Sequence, residues 1–149
     1  MKSYLVVANQ TLGGAPLEKA IGERLAEGGA AFHVVVPATP PHDLFRDVAN
    51  AYAGSLPNAR DAAAEASERL ERILRTLRAA GAEASGSIGD SDPFVAIEDA
   101  LAKGSYDEVI LSTLPPGASK WLARDLLHRV ERATTVPVTH VTGRPVPTR

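Results

Sequence analysis

The stretch Gly86–Thr113 reads GSIGDSDPFVAIEDALAKGSYDEVILST, and its period changes twice. A run of small residues ends at Gly89, and Asp90-Ser91-Asp92-Pro93 turns the chain. Ser91 or Asp92 is placed to cap a helix, with Pro93 just inside its start, where a missing N–H costs little. Ile97, Ala100 and Leu101 recur at helical spacing and predict that helix's inward face. After Gly104 the pattern becomes DEVILS (Asp107–Ser112), a short apolar run that reads as a strand buried on both faces. Strand, helix, strand is the unit from which parallel sheets are built.

The same alternation extends in both directions. SYLVVAN (Ser3–Asn9) predicts a first strand and TLGGA a loop, and Pro16 opens a helix whose inward face is Leu17, Ile21 and Leu25. Gly28-Gly29 ends that helix, and AFHVVVPA (Ala31–Ala38) predicts a second strand closed by prolines. Residues 39–57 are too long for a bare connection; Leu44, Val48 and Tyr52 suggest a short helix there, and the segment could fold over the cleft as a lid. From Asn58 to Ala80 the stripe Leu70, Ile73, Leu74, Leu77 predicts a long amphipathic helix with Glu and Arg on its solvent face. AEASGSI (Ala82–Ile88) is a third strand short of large apolar residues. Ser119 can cap a last helix carrying Leu122, Leu126 and Val130, and VPVTHV (Val136–Val141) is the fifth strand.

This order predicts an α/β fold, a Rossmann-like three-layer sandwich. Its five-stranded parallel sheet has the order 3-2-1-4-5 and right-handed crossovers. Residues 1–142 form one domain and 143–149 a flexible tail. Ligands of such sheets bind outside the carboxyl ends of the strands where the order reverses, here between strands 1 and 4.

Composition excludes several function classes. A chain of 149 residues is one domain's worth, and its net charge of −2 makes no electrostatic case for nucleic acid or an anionic membrane. Cysteine is absent, which removes disulfides, thiolate catalysis and zinc-thiolate sites. No run approaches the ~20 apolar residues of a membrane span, and YLVVA is too short for a signal-peptide core. The expected location is the cytoplasm.

Two loops meet at the switch point. Ser112, Thr113, Gly117, Ser119 and Lys120 surround the last strand-to-helix connection. Their hydroxyls, the free N–H groups of the helix start and the Lys120 cation could hold an anion. Equally, Pro115-Pro116-Gly117 could be a rigid turn and Ser119 only a cap. On the facing loop, Asn9, Gln10 and Gly13 could bond a base or ribose, or merely turn the chain. Gly86–Gly89 is a Gly-x-x-Gly before the wrong helix. Asp90 and Asp92 suit caps better than metal ligands. The histidines are scattered; His128 with Glu131 suits a solvated helix face, and His140 could sit at a dimer edge. No catalytic Ser-His-Asp order and no Walker or G-x-G-x-x-G loop is present.

With this layout in place, the chain resembles a universal stress protein domain of the UspA-like family along nearly its whole length. The likeness rests on YLVVAN (Tyr4–Asn9), on Gly86–Thr113, and on ATTVPVTHV (Ala133–Val141). A narrower likeness, in Ser112–Leu122, is to a bacterial branch of which some members are attached to transporters. The resemblance implies a 3-2-1-4-5 sheet and a homodimer through the last strand, Val136–Val141. ATP-binding members carry a Gly-x-x-Gly followed, after a spacer, by Gly-Ser or Gly-Thr. Counted back from Pro137, those positions fall on Leu111, Leu114 and Arg124-Asp125. Side chains there obstruct a phosphate's approach to the backbone, and Asp125 opposes its charge. The implied protein is a non-catalytic, stress-associated binding or regulatory protein with a degenerate nucleotide cleft and no cofactor. The alternative is a sensor holding an adenine nucleotide or another small phosphorylated ligand at the switch point.

Overall fold

The computed structural model describes residues 1–9, 11–37, 59–90, 92–114 and 116–143, with only the backbone of 59–63 and 116–124. Gln10, Ser91 and residues 39–57, including the expected short helix and lid, lie outside the described residues, as does 144–149. The elements are β1 (Lys2–Val7), α1 (Ala15–Ala26), β2 (Ala30–Pro37), α2 (Ala59–Ala79), β3 (Glu83–Gly89), α3 (Pro93–Lys103), β4 (Glu108–Thr113), α4 (Pro116–Ala133) and β5 (Val138–Thr142). The strands form one sheet in the order β3-β2-β1-β4-β5, every pairing parallel. This is the expected α/β layout, and the strand ends differ from the sequence expectation by one or two residues.

Local chemistry sets most helix ends. Gly28 follows α1 at φ 130° and Gly81 follows α2 at φ 92°, conformations that residues with a β-carbon rarely adopt. Asp92 caps α3 by accepting the Phe94 N–H at 2.9 Å, while Asp90 accepts the Asp92 N–H at 2.9 Å. Both carboxylates therefore hold backbone donors. The start of α4 corrects the sequence expectation. The helix begins at Pro116, so Gly117 and Ser119 lie inside its first turn and Ser119 is not the cap. Proline is tolerated in a first turn because its absent N–H has no partner to lose.

The sheet is covered on both faces. Tyr4, Val6, Phe32, Val34 and Ile110 pack against Leu17 and Ile21 of α1 and Leu70, Ile73 and Leu77 of α2. On the other face Leu5, Val7, Val35, Val109 and Leu111 pack against Ala96, Ile97 and Ala100 of α3 and Val130 of α4. The unbroken apolar runs of β1 and β4 follow from this two-sided burial.

The weakly apolar β3 has a steric reason. A β-carbon on Gly86 would lie 2.5 Å from Leu70 Cδ1 and 2.8 Å from the Val34 carbonyl oxygen. On Gly89 it would lie 2.8 Å from the Ala96 β-carbon and 2.9 Å from Val35 Cγ1. The Gly-x-x-Gly that the sequence placed before the wrong helix thus serves packing, admitting α2 closely on one face and α3 on the other.

A polar clasp fastens α1 across the far side of the sheet. Arg24 donates from Nε to Glu108 Oε1 at 3.1 Å and from a terminal nitrogen to Glu108 Oε2 at 2.5 Å. Thr139 of β5 donates to the same carboxylate, and Arg24 also reaches the Ala20 carbonyl at 3.0 Å. Burial alone pushes the Glu108 carboxyl up, but the Arg24 and Thr139 hydrogen bonds and the nearby cation outweigh it, so its pKa lies below the ordinary 4.5. A carboxyl with a depressed folded-state pKa stabilises fully above its unfolded value and loses that stabilisation as pH falls through the folded one.

Gly86→Ala should lower stability by about 1–3 kcal/mol in denaturant unfolding, while Ser85→Ala on the same strand should change it little. Glu108→Gln should cost about 2 kcal/mol at neutral pH. Its melting temperature should also fall less steeply than the parent's as pH drops below about 4.5.

Candidate functional site

The carboxyl ends of β1 and β4 bring the predicted loops together. Ser112, near the end of β4, alternates with Leu111 and faces the α1 layer. There its hydroxyl lies 2.6 Å from that of Thr11, and both residues are buried. Thr113 faces the opposite layer, with Oγ1 2.6 Å from His140 Nε2 of β5. Asn9, just past β1, donates from its amide to the Pro37 carbonyl at 2.9 Å and accepts from Arg69 at 2.9 Å. Gly13 takes φ 86° in the turn before α1.

Every described polar side chain that the sequence assigned to a ligand is therefore bonded to another protein group. Thr11–Ser112 ties the β1–α1 loop to β4, and Thr113–His140 ties β4 to β5. Asn9 joins the ends of β1 and β2 to α2. The chain leaving β5 adds a further tie: the Gly143 N–H donates to the Thr113 carbonyl at 2.9 Å, and Gly143 is buried beside Thr11. α4 begins at Pro116, three residues after Thr113, and the N–H groups of its first turn have no partner within the helix. Gln10 and the side chains of Ser119 and Lys120 lie outside the described residues.

Sequence reasoning missed three partners: Thr11, Arg69 and His140. Arg69 corrects the reading of α2 as a helix whose arginines all face solvent. Its side chain is only 14% exposed; it reaches Asn9 and pairs with Glu65 at 3.6 Å, and its Nε is buried without a hydrogen-bond partner. Arg69 and Gly13 also line a cavity of about 210 Å³ between the β1–α1 turn and α2. Position supplies the only sequence clue: Arg69 precedes the buried Leu70, at the margin of the apolar stripe. His128 and Glu131 form the expected exposed pair at 3.8 Å. Among the described residues no three His, Asp or Glu side chains gather as a metal site. No described helix is long and apolar enough to cross a membrane.

Comparison with known proteins places the fold. The chain is similar to the structure of hypothetical protein MJ0577, with a TM-score of 0.65 and 15% identity over 96% of each chain. It is also similar to hypothetical protein PH0823, with a TM-score of 0.59 and 15% identity over 98% of this chain and 99% of that one. No protein-family model and no curated protein sequence matches the chain. At that identity the likeness establishes a shared Rossmann-like α/β architecture.

Removing one hydroxyl of a buried pair strands the other. Ser112→Ala and Thr11→Val should each cost about 1–3 kcal/mol. The double variant should cost less than the two losses added, as read by a double-mutant cycle in denaturant.

Proposed function

We propose that this chain is a universal-stress-protein-like binding or regulatory protein. In this reading it has no catalytic turnover, and its nucleotide cleft has been taken over by internal bonds. The observation that carries this reading is the set of internal pairs at the switch point: Thr11 with Ser112, Thr113 with His140, and Asn9 with Arg69. A phosphate entering there would displace bonds already made within the protein, and hydrogen bonds gained would be offset by those lost. Leu111, at one of the family's glycine positions, is buried in the core rather than open to a ligand. Leu114 at the other would hold a side chain where a phosphate needs bare backbone.

The proposed assembly is a cytoplasmic homodimer joined through β5. β5 pairs only with β4 and leaves its other edge without a strand among the described residues, and such an edge invites pairing with a second copy. The same reading involves neither nucleic acid nor membrane.

A second reading keeps a ligand at the cleft: a sensor for an adenine nucleotide or another small phosphorylated molecule. The start of α4 beside Ser112 and Thr113 favours it, because free N–H groups at a helix start attract anions. Under it, Ser112→Ala with Lys120→Ala should abolish any ligand-induced rise in melting temperature.

Calorimetric titration separates the two. The proposed protein should show no saturable heat with ATP–magnesium, and one micromolar site per chain would overturn the closed-cleft reading. Sedimentation equilibrium should give twice the chain mass; a monomer at high micromolar concentration would refute the β5 dimer.

A further inference from the structure

A groove of about 560 Å³ runs between α3 and the β2–β3 side of the sheet, away from the switch point. That volume is within the ~300–1,000 Å³ of small-molecule sites. Small residues line its walls: Ser87 and Gly89 along β3, and Ala96 and Ala100 on α3, with Gly89 and Ala96 in close contact at one point. Val35 adds an apolar floor, and the Tyr106 and His33 rings stand at one end with centroids 6.4 Å apart.

The polar groups of the groove are unlike those of the switch point. His33 and Ser85 are direct partners in the β2–β3 register, with Nδ1 and Oγ 2.9 Å apart. Burial, with Lys103 nearby, holds the His33 imidazole below its ordinary pKa and so favours the neutral ring. Asp99 and Lys103 lie one turn apart on α3 and both line the groove. Opposite charges at that spacing commonly pair on a helix surface. Here neither side chain makes an ion pair or hydrogen bond with another described residue. Asp90 sets a second carboxylate at the opposite end from Tyr106.

This charge arrangement selects by elimination. A purely anionic ligand would face Asp90 and Asp99, and a purely cationic one would face Lys103. An apolar ligand would make no use of Asp99 and Lys103, which stay exposed to water beside it. A molecule carrying both charges close together meets Asp99 and Lys103 each with its opposite, while Asp90 already accepts the Asp92 N–H. Residues four apart on a helix are separated by ~6 Å along its axis, a span that an ammonium and a carboxylate on one carbon can bridge.

We propose that this groove binds a free α-amino acid. Asp99 receives the ammonium, and Lys103 with His33, whose ring Ser85 holds from behind, receives the carboxylate. The side chain lies over Val35, Ala96 and Ala100. The site is independent of the switch-point cleft and stands or falls apart from it.

Titration of isotope-labelled protein with glycine, alanine, leucine, phenylalanine, glutamate and lysine, followed by amide chemical shifts, tests the proposal. At least one should give saturable shifts centred on residues 85–89 and 96–106. The N-acetyl and carboxamide derivatives of that same amino acid, each lacking one charge, should bind roughly tenfold more weakly or worse. Asp99→Asn and Lys103→Met should each weaken binding to a similar degree while leaving the unfolding midpoint nearly unchanged; Ser112→Ala should not affect it. Glycylglycine serves as the control for charge spacing. Absence of saturation by all six amino acids overturns the proposal, as does equal binding of the capped derivatives. Binding of glycylglycine alone would assign the groove to peptides and overturn it too.

Discussion

The two central strands have no free face. Leu5, Val6 and Val7 of β1 and Val109, Ile110 and Leu111 of β4 are all at most 2% exposed, because α1 and α2 close one side and α3 and α4 the other. Chemistry is thereby driven to the strand ends, where the backbone emerges and polar side chains begin. At those ends a polar group must meet water, a ligand or another protein group, since a buried hydroxyl or amide left alone is costly. This chain uses the third solution for Asn9, Thr11, Ser112 and Thr113 at the β1–β4 crevice, while the Arg69 Nε beside them is buried without a partner. The bonds that close the crevice also hold the sheet together there, linking β1 to β2, β1 to β4 and β4 to β5.

Most of the architecture was legible because its causes are local or periodic. The apolar runs of β1, β2 and β4, the stripe Leu70–Ile73–Leu74–Leu77, the Asp92-Pro93 helix start and the stops at Gly28 and Gly81 each state their structure within a few residues. β3 was faintest because its composition answers to neighbours distant in sequence. Gly86 is small for Leu70 and Val34, and Gly89 for Val35 and Ala96, which no local pattern reveals.

The candidate site was legible in place but not in state. Topology put Asn9, Ser112 and Thr113 at the switch point, and they are there. Their partners were invisible because pairing across a fold depends on which face each side chain takes. Ser112 finds Thr11 only because alternation turns it toward α1. Thr113, one residue on, turns the other way and meets His140. Arg69 shows the same limit, since helical position placed it beside the core without indicating that it reaches Asn9. Ser119 was misread for a different reason: two adjacent prolines look like a turn, yet the second is at home in a helix's first turn.

The smallness of β3 also bears on how the molecule breathes. Serines and glycines bury little apolar surface and are poor strand formers. β3 has β2 on one side and no described strand on the other. Local opening follows the uneven distribution of buried contacts. On that principle the backbone amides of β1 and β4 are expected to exchange with solvent only on global unfolding, and those of β3 through a smaller excursion in which the sheet's outer margin detaches and returns.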